Sequence, residues 1–129
     1  MSEKNKEIVG KVNAAFLNGN FEDFLTYCAD DVVWTIVGDR TAKGKENIRQ
    51  WMKTMAAENP EPPKFTVENP VIGEGDFVAS RGEMTMKDKD GKVGNYSYCD
   101  IYRFRNDKIV ELTSFVVKSE AKHQTTSRA

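Results

Sequence analysis

The stretch NYSYCDIYRF, residues 95–104, has the alternating pattern of a β-strand. Successive side chains of a strand point to opposite faces of its sheet. One face of this strand therefore carries Tyr96, Tyr98, Asp100, Tyr102 and Phe104. The opposite face carries Ser97, Cys99, Ile101 and Arg103. The stretch thus predicts a strand with one aromatic face, and the carboxylate of Asp100 lies on that face.

Asp100 has two interpretations, which differ in the face that the protein buries. If helices cover the aromatic face, the carboxyl loses water among the rings and its pKa rises. A neutral carboxyl can donate a hydrogen bond to a ligand carbonyl or act as a general acid near neutral pH. If the other face is buried, Asp100 is a solvated surface residue or pairs with Arg103 or Arg81. Alternation alone favours neither interpretation.

The second half of the chain has the pattern of consecutive strands. The predicted strands cover residues 64–72, 76–86, 92–105 and 108–117. Asp90-Gly91 and Asn106-Asp107 separate the last three strands and have the chemistry of tight hairpin turns. We therefore expect these strands to pair antiparallel.

The first half is mainly helical. Apolar residues at helical spacing predict helices over residues 4–18, 21–28 and 45–57, and Asn20 is suited to cap the second helix. The β-branched and aromatic run over residues 32–37 predicts one strand between the helices, and the proline-rich segment 59–63 ends the third helix.

Helices followed by a strand meander define an α+β architecture, with three helices on one face of a curved sheet. We expect a single domain over residues 1–118 and a polar, flexible tail over residues 119–129.

Composition favours one water-soluble globular domain. The 129 residues are 39% hydrophobic and 30% charged, with 19 Lys and Arg against 20 Asp and Glu. The chain lacks the basic stripe of nucleic-acid-binding proteins, and no apolar run approaches the roughly 20 residues that span a bilayer. We expect no nucleic-acid or membrane partner. A cytoplasmic location is expected because the first residues do not have the pattern of a secretory signal.

Metal and nucleotide chemistry are not predicted. Cys28 and Cys99 lie far apart without a CxxC pair, and His123 stands alone in the polar tail. We interpret both cysteines as small buried hydrophobic residues. The glycines at positions 73, 75 and 82 lack the strand-to-helix setting of a phosphate-binding loop. We therefore predict no metal and no cofactor.

Residues 98–104, followed by a turn and residues 108–111, resemble the paired last strands of the ketosteroid isomerase and SnoaL-like proteins. These proteins belong to the nuclear-transport-factor-2-like superfamily. Further similar segments are residues 18–21, 29–34 and 44–45. The resemblance extends over nearly the whole chain, to about Val117. It implies a cone-shaped α+β roll, in which a curved mixed or antiparallel sheet wraps around three helices.

The same resemblance implies a role for Asp100. In ketosteroid isomerases the aspartate of the penultimate strand is protonated and donates to an oxyanion beside a tyrosine. Asp100 matches that aspartate, which implies that its face looks into the cone. The tyrosine position falls near Val12 and the general-base position at Thr35 or Ile36, so steroid isomerase activity is not predicted. Asp39 is a loop candidate for a base.

The sequence therefore predicts one apolar pocket, with Asp100 and Tyr98 as the candidate catalytic residues. The candidate substrate-binding residues are Trp34, Trp51, Ser114, Tyr102 and Phe16. Core packing is expected ahead of ligand contact for six bulky side chains, because a cone of this size needs large residues to fill it; they are Trp34, Trp51, Met52, Met55, Met84 and Met86.

We expect a cofactor-independent isomerase, cyclase, dehydratase or hydrolase that acts on a small apolar carbonyl compound. The alternative is a non-catalytic ligand-binding or dimerisation module of the same fold. A homodimer is expected to form through the outer sheet face, which would carry Cys99, Ile101 and Val110.

Overall fold

A computed structural model describes residues 2–58, 63–87 and 90–119. Within these ranges the helices are α1 (Ser2–Leu17), α2 (Phe21–Thr26) and α3 (Lys45–Glu58). The strands are β1 (Cys28–Ile36), β2 (Arg40–Lys43), β3 (Lys64–Val67), β4 (Ile72–Glu74), β5 (Phe77–Lys87), β6 (Val93–Arg105) and β7 (Lys108–Lys118). The predicted tail lies outside the described residues from position 120 onward, as does most of the proline-rich segment.

The strands form one mixed sheet in the order β2-β1-β7-β6-β5-β3, and β4 also pairs with β5. Strands β5, β6 and β7 are antiparallel neighbours, whereas β1 runs parallel to β7. Asn106 and Asp107 join β6 to β7 with φ values of 53° and 64°. Two consecutive left-handed residues are the signature of the tight hairpin turn that the sequence predicts. The α+β class and the antiparallel meander are confirmed.

Three strand predictions were wrong in detail. β1 begins at Cys28 rather than at residue 32, because the chain already pairs with Ile109 of β7 there. β2 was not predicted, and it forms by antiparallel pairing with the end of β1. The predicted strand 64–72 is divided into β3 and β4 around Pro70, since proline has no N–H to donate to a strand partner.

The helices cover the inner face of the sheet. Helix α1 packs on β3, β4 and β5, while α3 packs on β1 and β2. On β6, Tyr102 is 0% and Phe104 is 3% exposed, whereas Arg103 and Arg105 are exposed. The even-numbered face of β6 is therefore the inner face, as the resemblance implied.

The surface interpretation of Asp100 is therefore wrong. Its two proposed ion-pair partners lie on the outer face, where Arg103 contacts Glu111 at 3.3 Å and Arg81 contacts Glu68 at 3.9 Å.

Two further expectations need correction. Met55 was expected in the core, but its side chain is 41% exposed, whereas Met52, on the inward side of α3, is 8% exposed. Val110 was expected on the outer face, but it is only 7% exposed. The register of β6 and β7 shifts between Arg103 and Phe104, which leaves Val110 without a cross-strand partner in β6. Its side chain is buried rather than presented on the outer face. It therefore offers little surface to a partner.

None of the helices in the described ranges is long and apolar enough to cross a membrane.

Candidate functional site

A row of polar side chains crosses the centre of the inner face. Strand register places Ser80 of β5 opposite Asp100 of β6, and Asp100 opposite Ser114 of β7. Ser80 is 1% and Ser114 is 4% exposed, while Asp100 is partly buried. Because neighbouring strands lie about 5 Å apart, each serine hydroxyl is a neighbour of the carboxyl.

Asp100 is the acidic group of this row. Burial raises the pKa of its carboxyl from 3.8 to about 6, and a hydrogen bond from Ser114 partly offsets that rise. Loss of water disfavours the charged form, which is the effect expected from the sequence. A carboxyl that titrates near pH 6 changes protonation close to neutrality, so it can donate or accept a proton there.

One side of the row is fixed by β1. The indole Nε1 of Trp34 donates a hydrogen bond to Ser114 Oγ at 2.9 Å. Since this contact uses a lone pair of Ser114, the hydroxyl still has its own proton to donate to Asp100. Trp34 and Ser114 thus lie at the predicted site, but they contact each other.

The other side is fixed by α1. Asn13 Nδ2 donates to Ser80 Oγ at 3.2 Å. Sequence reasoning missed both residues. Ser80 could have been found, because it is an even-numbered residue of β5 in the inward set with Val78. Asn13 could have been noticed as a polar side chain on the apolar side of its helix, one residue after Val12.

Aromatic side chains form an arc on the same face. Trp51 lies 4.9 Å from Trp34, Trp34 lies 6.4 Å from Phe16, Phe16 lies 6.4 Å from Phe65, and Phe65 lies 6.3 Å from Tyr98, all between ring centroids. All five are partly exposed. We call this set the aromatic arc. It contains three of the predicted substrate-binding residues and Phe65, which the sequence did not single out.

Tyr98 lies on the predicted face, but its hydroxyl is engaged by another strand. It donates to the carbonyl oxygen of Thr66 in β3 at 2.8 Å. Burial, followed by the charge of Asp100, raises the pKa of Tyr98 to about 12. A phenol with that pKa stays protonated at neutral pH, so Tyr98 suits an orienting role better than proton transfer.

Tyr102 is a core residue with an unusual hydroxyl. Its side chain is 0% exposed, and its hydroxyl has no hydrogen-bond partner among the described residues. Burial raises its pKa well above 10, and the charge of Asp100 adds to the effect. Buried hydroxyls are normally paired, so this one sits in an incomplete polar environment close to Asp100.

The remaining candidates are separate from Asp100. Val12 is 0% exposed in the core. Asp39 is exposed and pairs with Arg40 at 3.6 Å, and the Arg40 guanidinium stands 5.4 Å over the ring of Trp51. His123 lies outside the described residues. Within the described ranges no three His, Cys, Asp or Glu side chains are grouped as metal ligands would be.

A shallow depression of about 360 Å³ lies on the opposite, outer face. Its lining includes Arg81, Cys99, Phe115 and Val117. Tyr98 and Gly82 also line it, so this depression lies beside the end of the aromatic arc where Tyr98 reaches β3.

Residues 9–112 match the family model of the SnoaL-like domain. The match spans well over half of the chain, and the chain therefore belongs to the SnoaL-like family. No curated protein matches it.

Solved structures share the fold. An NTF2-like protein from Cytophaga hutchinsonii is 29% identical with a TM-score of 0.72, over 87% of this chain and 98% of that chain. A protein from Jannaschia sp. named as a candidate SnoaL-like polyketide cyclase is 15% identical with a TM-score of 0.76, over 99% and 92%. A candidate ketosteroid isomerase from Kribbella flavida is 16% identical with a TM-score of 0.74, over 93% and 81%. The fold is thus NTF2-like.

Proposed function

We propose that this protein is a cofactor-independent enzyme that acts on a small apolar carbonyl compound, in a reaction of the isomerase, cyclase, dehydratase or hydrolase type. Asp100 donates a proton or a hydrogen bond to the carbonyl oxygen. The observation that carries the proposal is a carboxyl of pKa about 6 at the centre of the concave inner face, beside an aromatic arc.

The surroundings of Asp100 support this role. An apolar ligand against the aromatic arc would displace the water that still reaches the carboxyl. Because desolvation disfavours the carboxylate, the pKa of Asp100 would rise further when the ligand binds. The protonated carboxyl would then polarise the ligand carbonyl and stabilise negative charge as it develops on the oxygen.

The names of two structures with the same fold agree with carbonyl chemistry on small molecules. One is named as a candidate polyketide cyclase and the other as a candidate ketosteroid isomerase. At 15% and 16% identity they carry the fold alone, so the proposal depends on Asp100 and its neighbours.

Ligand binding without turnover is the second candidate function. It is favoured by Tyr98, whose hydroxyl is engaged by Thr66 and whose pKa of about 12 removes it as a base. In this case Asp100 serves only as a hydrogen-bond partner of the ligand.

A thermal-shift screen of wild type and Asp100→Asn tests the proposal. The compounds are steroids, aromatic polyketides, terpenoid ketones and epoxides, and each shift is measured against the same variant without ligand. A ligand at a hundredfold its Kd adds about 2.7 kcal/mol of stability. We expect a ketone to stabilise wild type and the Asp100→Asn shift to be smaller. Asp76→Asn, which changes an exposed aspartate, is the control and should match wild type.

Turnover of the stabilising compound then separates the two functions. If Asp100 acts as an acid, activity is present below its pKa and is lost as pH rises through about 6, or higher when the ligand raises that pKa. Activity that instead rises with pH through this range would make Asp100 a base. Binding that depends on Asp100, without turnover of any hit, would favour the second function. A screen in which no compound stabilises wild type would count against both.

A further inference from the structure

We propose that Trp34 is a positioning residue for Asp100, because its indole N–H holds Ser114 in the orientation that donates to the carboxyl. This inference deepens the proposed function and rests on Asp100 being its acidic group. It gives Trp34 a role in addition to the substrate contact that the sequence predicted.

The indole of Trp34 donates to Ser114, and Ser114 donates to Asp100. We call this chain of two hydrogen bonds the relay. Trp34 Nε1 lies 2.9 Å from Ser114 Oγ, and Ser114 is 4% exposed, so water does not compete for the hydroxyl. Trp34 itself is held by the rings of Trp51 at 4.9 Å and Phe24 at 5.6 Å. The donor, the hydroxyl and the carboxyl therefore come from three adjacent strands, β1, β7 and β6.

Trp34 influences the direction in which the Ser114 hydroxyl donates its proton. A serine hydroxyl has one proton and two lone pairs, so beside a carboxyl it can donate to the charged form or accept from the neutral form. The indole can only donate, and it occupies a lone pair of Ser114. The serine is thereby biased toward donating its own proton to Asp100, which favours the carboxylate. Without the indole, Ser114 is free to turn and accept from a protonated Asp100.

Apart from burial, the hydrogen bond from Ser114 is the main influence on the pKa of Asp100. On its own strand Asp100 is accompanied by Tyr98 and Tyr102, which are neutral phenols. The uncharged Ser80 of β5 and Asn13 of α1 stand on the other side. Arg40 of β2 is the cross-strand partner of Ile36 in β1, at the edge of the same face. No charged side chain in the described ranges contributes to the pKa of Asp100, which responds to burial and to Ser114.

The test is a pH titration of the free protein with a 13C label on the aspartate carboxyls, followed by NMR. Asp100→Asn assigns the resonance. Wild type is compared with Trp34→Phe, Ser114→Ala and the double variant. We expect the midpoint of Asp100 to rise by about half a pH unit or more in Trp34→Phe, and by at least as much in Ser114→Ala. The double variant should match Ser114→Ala, since both changes interrupt one relay.

Trp51→Phe is the matched control, because Trp51 packs against Trp34 without contacting Ser114 in the hydrogen bonds of the described residues. An equal rise in Trp51→Phe would show that ring packing sets the midpoint, and would overturn the proposal. So would an unchanged midpoint in folded Trp34→Phe, or additive shifts in the double variant. If Trp34→Phe does not fold, an unchanged midpoint in Ser114→Ala overturns it. No substrate is needed, so a failure of the relay in this titration can be distinguished from a failure of the proposed function, which the ligand screen and turnover test.

Discussion

The charged form of Asp100 lowers the free energy of unfolding of the protein. Its pKa is about 6 in the folded protein against 3.8 for an ordinary aspartate, so the folded chain binds this proton more tightly than the unfolded chain. Stability from this residue is therefore fully present below about pH 4 and is lost as pH rises through 6. A residue kept at such a cost is a reasonable centre for function.

We predict that Asp100→Asn stabilises the free protein at pH 7.5. The substitution removes the buried charge, and the pKa difference sets an upper limit of about 3 kcal/mol, lowered because the side chain is partly exposed. At pH 4 the two proteins should differ little, since wild-type Asp100 is then largely neutral. Urea unfolding at both pH values measures the difference. Destabilisation at pH 7.5 would show that the carboxylate makes a stabilising contact, contrary to this account.

At the scale of single residues, the sequence located Asp100 because strand alternation and the resemblance agree on its face. It did not reveal what surrounds the carboxyl. Ser80 reaches Asp100 through strand register, and Asn13 reaches Ser80 across 67 positions of sequence. Neither pairing leaves a local pattern. The same limit explains why the contact of the Trp34 N–H with Ser114 was not predicted.

At the scale of elements, β3 docks on β5 through a position where only glycine fits. A Cβ at Gly82 would lie 2.0 Å from the carbonyl oxygen of Thr66 and 2.8 Å from the hydroxyl of Tyr98. The Tyr98 side chain thus crosses over Gly82 to reach β3, and Phe65 of β3 joins the aromatic arc beside it. Gly82 therefore helps to place one end of the candidate site.

We predict that Gly82→Ala destabilises the protein by about 1–3 kcal/mol, because the backbone oxygen of Thr66 cannot move aside as a flexible side chain can. Gly10→Ala is the control. Gly10 is an exposed residue of helix α1, and an added Cβ meets nothing within 4 Å, so alanine should stabilise by about 1 kcal/mol. Thermal unfolding of the two variants gives the comparison. Equal effects of the two changes would contradict a steric requirement at Gly82.

The long elements were predictable and the short ones were not. Helices α1 and α3 and strands β5, β6 and β7 carry apolar periodicity over many residues, and their predicted bounds lie within two residues of the structure. Strand β2 has only Ala42 as an apolar residue, so it becomes a strand by pairing with β1 rather than by its own composition. Asp30 and Asp31 suggested a break, yet both lie in β1 with exposed side chains that pair with Lys45 and Arg105.

At the scale of the whole molecule, the two faces of the sheet differ in what they expose. The inner face holds the aromatic arc and Asp100 under the helices. The outer face exposes Phe115 at 40% and Val117 at 64%, and both line the shallow depression beside Cys99. Apolar side chains grouped on an open sheet face are typical of an association surface.

We predict a homodimer that forms through this outer face, centred on Phe115 and Val117. Light scattering coupled to size exclusion should give twice the mass of the single chain. Phe115→Glu should give the monomer mass, because a two-fold contact would bring the two new carboxylates together. Leu17→Glu, at a site on α1 that is 55% exposed, should remain dimeric. Dissociation of both variants would show that any added charge disperses the protein, and a monomeric wild type at high concentration would remove the dimer. Because Ser114 and Phe115 are neighbours that face opposite sides of β7, a confirmed interface would also lie directly behind the relay to Asp100.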